Sequence, residues 1–179
     1  MADRLKERLG DAVYEAGFLL PPRIRVSLEG RRATLVPDDE DELRITLDAA
    51  VSPRFPLVAR TRGAVALPFA VEGWRLLPLM KTFDPLLDGA VSVYADGAFG
   101  AYVRDLALDG PAGGKPAALA ESLIVLGRLP GVRSFELRLS TSGARLRLQL
   151  RSGDLLYRPD ELEAALHHAW AVYDLLVLS

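Results

Sequence analysis

"SFELRLSTSGARLRLQLR", residues 134–151, alternates in a way that only a strand pair explains. Phe135, Leu137 and Leu139 point one way, with Glu136 and Arg138 between them. After a turn containing Gly143, Leu146, Leu148 and Leu150 repeat the pattern, with Arg145, Arg147 and Gln149 between them and Arg151 following. A period of two places every second side chain on one face, so this is an antiparallel hairpin with an apolar face and a polar one. Antiparallel sheets are commonly covered on one side and wet on the other. The hairpin therefore requires a cover, and its flanks supply one. Residues 117–128 read as a helix stopped by Pro130 and Gly131. Downstream, residues 152–160 loop out, and 160–177 form a long helix with Asp160, Glu161 and Glu163 in its first turn, where carboxylates suit the helix dipole.

The same alternation recurs earlier. RIRVSL (23–28), RATLV (32–36) and LRITL (43–47) read as a three-strand meander, with a turn at Glu29-Gly30 and a solvated loop over PDDEDE (37–42). Leu5, Leu9, Ala12, Val13 and Ala16 recur at helical spacing, so 3–17 reads as an N-terminal helix ended by Gly17 and Pro21-Pro22. Residues 49–82 are broken by Pro53, Pro56, Pro68 and Pro78. Within them FPLVAR and PFAV read as short strands, and WRLLPLMKTF as a helix broken at Pro78. AVSVYA (90–95) reads as a buried strand, 98–107 as a short helix and 109–116 as a loop. A helix followed by a hairpin occurs twice, near 3–36 and 117–151, a faint sign of duplication.

The expected fold is α+β: an antiparallel sheet, made of a three-strand meander plus a two-strand hairpin, packed against N- and C-terminal helices. The 179 residues suit a single α+β domain. The weakest points for a division are 49–56 and 109–116.

Composition narrows the function classes. Half of the residues are hydrophobic, 26% are charged and the formal net charge is −2. That balance is globular, and it offers no overall positive field for nucleic acid or membrane. Cysteine is absent, which removes disulfides, thiolate metal sites and a cysteine nucleophile. The N-terminal residues lack the apolar stretch of a secretion signal, and AVALPFAV (64–71) is too short to span a bilayer. The expected location is cytoplasmic.

Motifs for chemistry are missing. GPAGGKP (110–116) lacks the Gly and Ser/Thr of a phosphate loop, having Asp109 and Pro116 at those positions. The acidic run at 38–42 lacks the alternating ligands and central Gly of a calcium loop. His167 and His168 are adjacent on the closing helix, and adjacent helical positions do not face one another. They read as two histidines flanking a core stripe of Leu162, Ala165, Leu166, Ala169, Val172, Tyr173 and Leu176. No catalytic, cofactor-binding or metal-ligating residue is assigned.

The order of elements resembles the type III secretion chaperone-like superfamily, which includes the YbjN-type proteins. The stretches that carry the likeness are LKERLGDAVYEAGF, RIRVSLEGRRATLV with LRITL, and ARLRLQL with PDELEAALHHAWAVYDLL. The resemblance implies a dimerising, non-enzymatic protein that binds segments of other proteins. It transfers no binding residues.

The chain thus reads as a protein-binding or scaffold domain, chaperone-like, without a cofactor, acting as a homodimer or as a subunit of a larger assembly. Partner contact would fall on Arg138, Arg145, Arg147 and Arg151 of the hairpin, and on Trp170, Leu175 and Val177 of the closing helix, whose apolar stripe is wide enough for a second subunit. Two alternatives stay open: an enzyme acting through carboxylate and arginine groups, and a binder of an anionic polymer through the arginine-rich hairpin faces. Aromatic residues do not interleave with those arginines, so nucleic acid is the less favoured anion.

Overall fold

The computed structural model describes residues 12–15, 22–39, 41–53, 55–63, 67–73, 75–82, 84–102, 115–141, 143–151 and 158–177. The strands are β1 (Val13–Glu15), β2 (Arg23–Leu28), β3 (Arg31–Asp39), β4 (Glu42–Leu47), β5 (Leu57–Thr61), β6 (Phe69–Glu72), β7 (Arg75–Met80), β8 (Val91–Ala95), β9 (Val132–Ser140) and β10 (Gly143–Leu150). The described helical segments are α1 (Pro85–Ala90), α2 (97–102), α3 (Lys115–Arg128) and α4 (Pro159–Val177).

The hairpin β9–β10 forms in the register that the alternation requires, with Leu137 opposite Leu146 and Phe135 opposite Leu148. It is not a separate unit. β10 pairs antiparallel with β4, placing Leu146 against Ile45 and Leu148 against Leu43. On its other side, β9 pairs antiparallel with β5, placing Leu137 against Ala59. The result is a ten-stranded sheet in the order β1-β2-β3-β4-β10-β9-β5-β8-β7-β6. This corrects the expected meander plus separate hairpin. Both outer edges of a two-strand hairpin carry backbone N–H and C=O groups, and burying them unpaired is costly. Here β4 and β5 satisfy them.

Two local expectations also change. Residues 13–15 form a strand, with Tyr14 opposite Ile24, where helical spacing had suggested a helix. The rest of that expected helix, 3–11, lies outside the described residues, as do 16–17. Residues 75–80 form β7, not a broken helix. The Pro78 that forbids a helix is tolerated in a strand that has one unpaired side. β3 runs on to Asp39, opposite Glu42, so the acidic loop is shorter than expected. The expected helix at 98–107 is described only to 102, and of the 109–116 loop only 115 and 116 are described, as the start of α3.

One face of the sheet carries the core. Ile24, Leu35, Ile45, Leu146, Leu137, Leu57 and Val93 lie on it, and α3 and α4 cover it with Leu123, Leu126, Leu162, Leu166, Ala169 and Leu176. The turn between β2 and β3 uses positive φ at Glu29 (51°) and Gly30 (79°), which matches the twist of a tight hairpin. α1 is capped by Asp84, whose Oδ1 accepts from the Leu86 and Leu87 amides. α2 starts in the same way, with the Asp96 carboxylate accepting from Phe99 N. The segment 49–56 is anchored as well: Phe55 is buried against Phe99 and Tyr102, and the Tyr173 hydroxyl donates to Val51 O.

Leu146 is fully buried at the centre of the sheet. Its replacement by Ala is expected to cost about 3 kcal/mol, through lost contacts and the cavity left behind. Urea unfolding at neutral pH measures this, and a loss below about 1 kcal/mol would contradict the central placement.

Candidate functional site

The face of the sheet turned away from the helices is polar over β4, β10 and β9. Over β5 and β8 it is apolar in part, beside Arg60 and Ser92. There Val58 and Tyr94 are fully buried, together with Ala70 and Leu77, in an apolar cluster separate from the main core. Their cover is the β6–β7 hairpin, which leaves the sheet and folds back over it.

Pro78 is where it leaves. β7 pairs with β8 only through Leu79 opposite Tyr94 and Met80 opposite Val93. Continuing that register would bring Pro78 opposite Ala95. The Leu79 amide bonds to Pro68 O on the β6 side, so the neighbouring position directs its polar groups to the β8 side. Proline has no N–H to give there. Pairing with β8 ends, while pairing with β6 continues through Phe69–Pro78, Ala70–Leu77, Val71–Leu76 and Glu72–Arg75.

Arg138 fastens the arm. Its Nη1 donates to Val71 O at 2.8 Å and lies 3.2 Å from Glu72 Oε2, while Nε donates to Glu136 at 2.7 Å. Its pKa is raised above the usual arginine value, foremost by the Glu136 hydrogen bond. Beneath, the Arg60 guanidinium lies 4.7 Å from the Tyr94 ring centre and donates to its hydroxyl at 2.8 Å.

The other residues singled out from sequence are placed as follows. Arg147 Nε donates to Glu42 at 2.5 Å, the leading cause of its raised pKa. Arg145 is exposed, opposite both Arg138 and Thr46. Arg151 donates from Nε to Val132 O. Arg44 pairs with Asp38, and Arg25 with Glu15. Carboxylates thus interleave with the arginines, and the local positive field is weak. A cleft of about 310 Å³ on this face is lined by Arg60, Arg147, Glu42 and Glu136, with Thr61, Ser134 and Gln149.

Trp170, Leu175 and Val177 turn toward their own chain. Trp170 is 6% exposed, edge-on to Tyr173 at 5.3 Å and beneath the Arg31 guanidinium, which is held by Asp174 at 2.6 Å. Leu175 and Val177 are partly buried against the core. The wide apolar stripe of α4 is needed because α4 contacts both α3 and the sheet.

His167 is exposed and His168 half-buried, and both line a cleft of about 390 Å³ with Leu28, Glu29, Asp160, Glu163 and Ala164. His168 Nδ1 lies 3.3 Å from Ser122 Oγ. Burial, then the neighbouring His167, lowers its pKa below the ordinary 6.5, and Glu121 opposes the shift. Among the described residues, no group of three or more His, Asp or Glu is placed to hold a metal ion.

Exposed apolar area gathers on the arm. Leu67, Phe69, Val71, Leu76 and Leu79 are all exposed, Leu76 by 65%. In the sequence PFAV (68–71) reads as a short strand, which β6 matches, whereas WRLLPLMKTF reads as a helix broken at Pro78, a reading that gives Leu76 and Leu79 no strand parity. Residues 76–80 are a continuous apolar run, so no alternation marks which side chains face outward.

No family model matches the chain, and no curated protein matches it. Among solved structures, the mycobacterial trehalose monomycolate transport factor A is similar. The TM-score is 0.53 at 15% identity, over 98% of this chain and 93% of that one. At that identity the likeness shows a shared fold. No described helix is long and apolar enough to cross a membrane.

Two outcomes follow from this geometry. Arg138→Ala is expected to speed amide exchange over 69–80 about tenfold while leaving β9 and β10 protected, because it frees the arm and not the core. Equal protection in both proteins would show that Arg138 does not hold the arm. For His168, the folded state favours the neutral imidazole, so stability is complete above pH 6.5 and declines as pH falls below it. His168→Gln should flatten that decline in urea titrations, and an unchanged slope would assign it elsewhere.

Proposed function

We propose that this chain is a non-enzymatic protein-binding or scaffold domain whose contact surface is the outer face of the β6–β7 arm. The observation that carries the proposal is the concentration of exposed Phe69, Val71 and Leu76 on one hairpin, while Arg138 and Arg147 of the polar face are paired with carboxylates. Exposed apolar patches on soluble folds mark contact sites. The similar solved structure is named as a transport factor, which supports a role in handling other molecules. Chaperone-like binding of partner segments in the cytoplasm belongs to the same proposal.

The test compares the wild-type chain with Leu76→Asp, each purified from its native cells and followed by quantitative mass spectrometry. Leu76 is exposed, so the variant is expected to fold. A specific set of proteins should fall by about tenfold or more with the variant, the effect of losing roughly 1.4 kcal/mol of contact. Purified members of that set should then bind the wild type in calorimetric titration. Equal recovery with both chains would overturn the assignment.

A further inference from the structure

The β6–β7 arm has a fixed base and a separately fastened tip. At the base, Met80 packs against the main core and pairs with Val93, and its Cε lies 2.6 Å from where a Cβ on Gly100 would sit. Two residues on, Thr82 is tied to α1: the Asp88 carboxylate accepts from its amide at 3.0 Å and from its hydroxyl at 2.8 Å. Toward the tip, beyond Leu79, β7 has no ladder to β8. The hairpin keeps its own ladder, from Phe69–Pro78 to Glu72–Arg75. It can therefore move as one piece without breaking its internal hydrogen bonds.

The fastening of the tip is small. Ala70 and Leu77, opposite each other on the hairpin, meet Val58 and Tyr94 in an apolar cluster of four side chains, apart from the core. Arg138 adds a bond to Val71 O and an ion pair with Glu72. A segment that buries little apolar area opens at a lower free energy than the core. The floor beneath does not depend on the arm. Val58 lies in β5, paired with Tyr94 of β8 on one side and Arg138 of β9 on the other. The Tyr94 hydroxyl accepts from Arg60, whose guanidinium also lies 4.7 Å from the ring centre, and neither contact involves the arm. Lifting the arm uncovers a preformed apolar seat bordered by Arg60 and Arg138.

We propose that the β6–β7 arm is a lid. It swings as a unit on the strand end at Pro78–Met80 and uncovers Val58 and Tyr94 while the helix-covered core stays folded, with Arg138 as its latch. The contact surface assigned above is the outer side of the arm; the lid concerns its underside and stands apart from that reading.

The chain has no cysteine, so an introduced thiol reports on one place alone. Val58 and Ala59 are adjacent on β5 and fully buried on opposite faces, Val58 under the arm and Ala59 in the main core. Val58→Cys and Ala59→Cys are each reacted with a chromogenic disulfide reagent in native buffer and in low urea. Val58→Cys should react on the order of a hundredfold faster, at a rate nearly independent of urea, because opening the arm exposes little surface. The rate for Ala59→Cys should climb steeply with urea, because its exposure requires global unfolding. Adding Arg138→Ala should raise the Val58→Cys rate about tenfold and keep its weak urea dependence. Ala70→Cys, on the underside of the arm, should behave as Val58→Cys does, and it carries the test if Val58→Cys does not fold. Equal rates with equal urea dependence at the arm and core positions would show that the seat is reached only by global unfolding, and would overturn the lid. Arm thiols that react as fast as in the urea-unfolded chain would overturn it too, since the arm would then not be closed. A rate that Arg138→Ala leaves unchanged would remove Arg138 as the latch.

Discussion

The pairing of β10 with β4 is the interaction on which the rest of this protein depends. It joins strands about a hundred residues apart in sequence and turns two local structures into a single sheet. Leu43, Ile45 and Leu47 come into line with Leu148, Leu146 and Ala144, so one continuous apolar surface faces α3 and α4. Without that ladder, the hairpin would bury unpaired backbone groups along β10, and no helix could satisfy them. With it, both inner strands are paired on both sides.

The opposite edge of the sheet is governed by one residue's missing proton. Pro78 cannot donate toward β8, so β7 keeps two paired positions there and then departs with β6. The departing hairpin has somewhere to go because Val58 and Tyr94 present apolar groups on an otherwise polar face. Arg138 secures it with one bond to a backbone carbonyl and an ion pair to Glu72. This explains why β8 is buried along its whole length: Val91, Val93 and Ala95 face the helices, while Ser92 and Tyr94 face the arm's side.

The same departure creates the surface to which function is assigned. Once β7 leaves the helix layer, the side of the strand that would have been core is open to solvent. On the apolar stripe of α4, Trp170 is buried within the molecule, and Leu175 and Val177 are partly buried against the core. The arginines on the polar face alternate with Glu42, Glu136 and Asp38, as expected for the wet side of a stable sheet.

The sequence by itself determined the local alternations. The β2–β3–β4 meander, the β9–β10 hairpin, the buried β8 and the inward stripe of α4 all follow from spacing, because a period of two or of 3.6 is written directly into the order of residues. Only the tertiary structure decided how those pieces share edges. The order β4-β10-β9-β5 rests on hydrogen bonds between backbones, and backbone groups are alike at every residue, so no side-chain pattern announces which strand meets which. The arm was hidden for a related reason: Pro78 breaks a helix interior, but whether it ends a strand or redirects one depends on the neighbouring strand that a donor at that position would have faced.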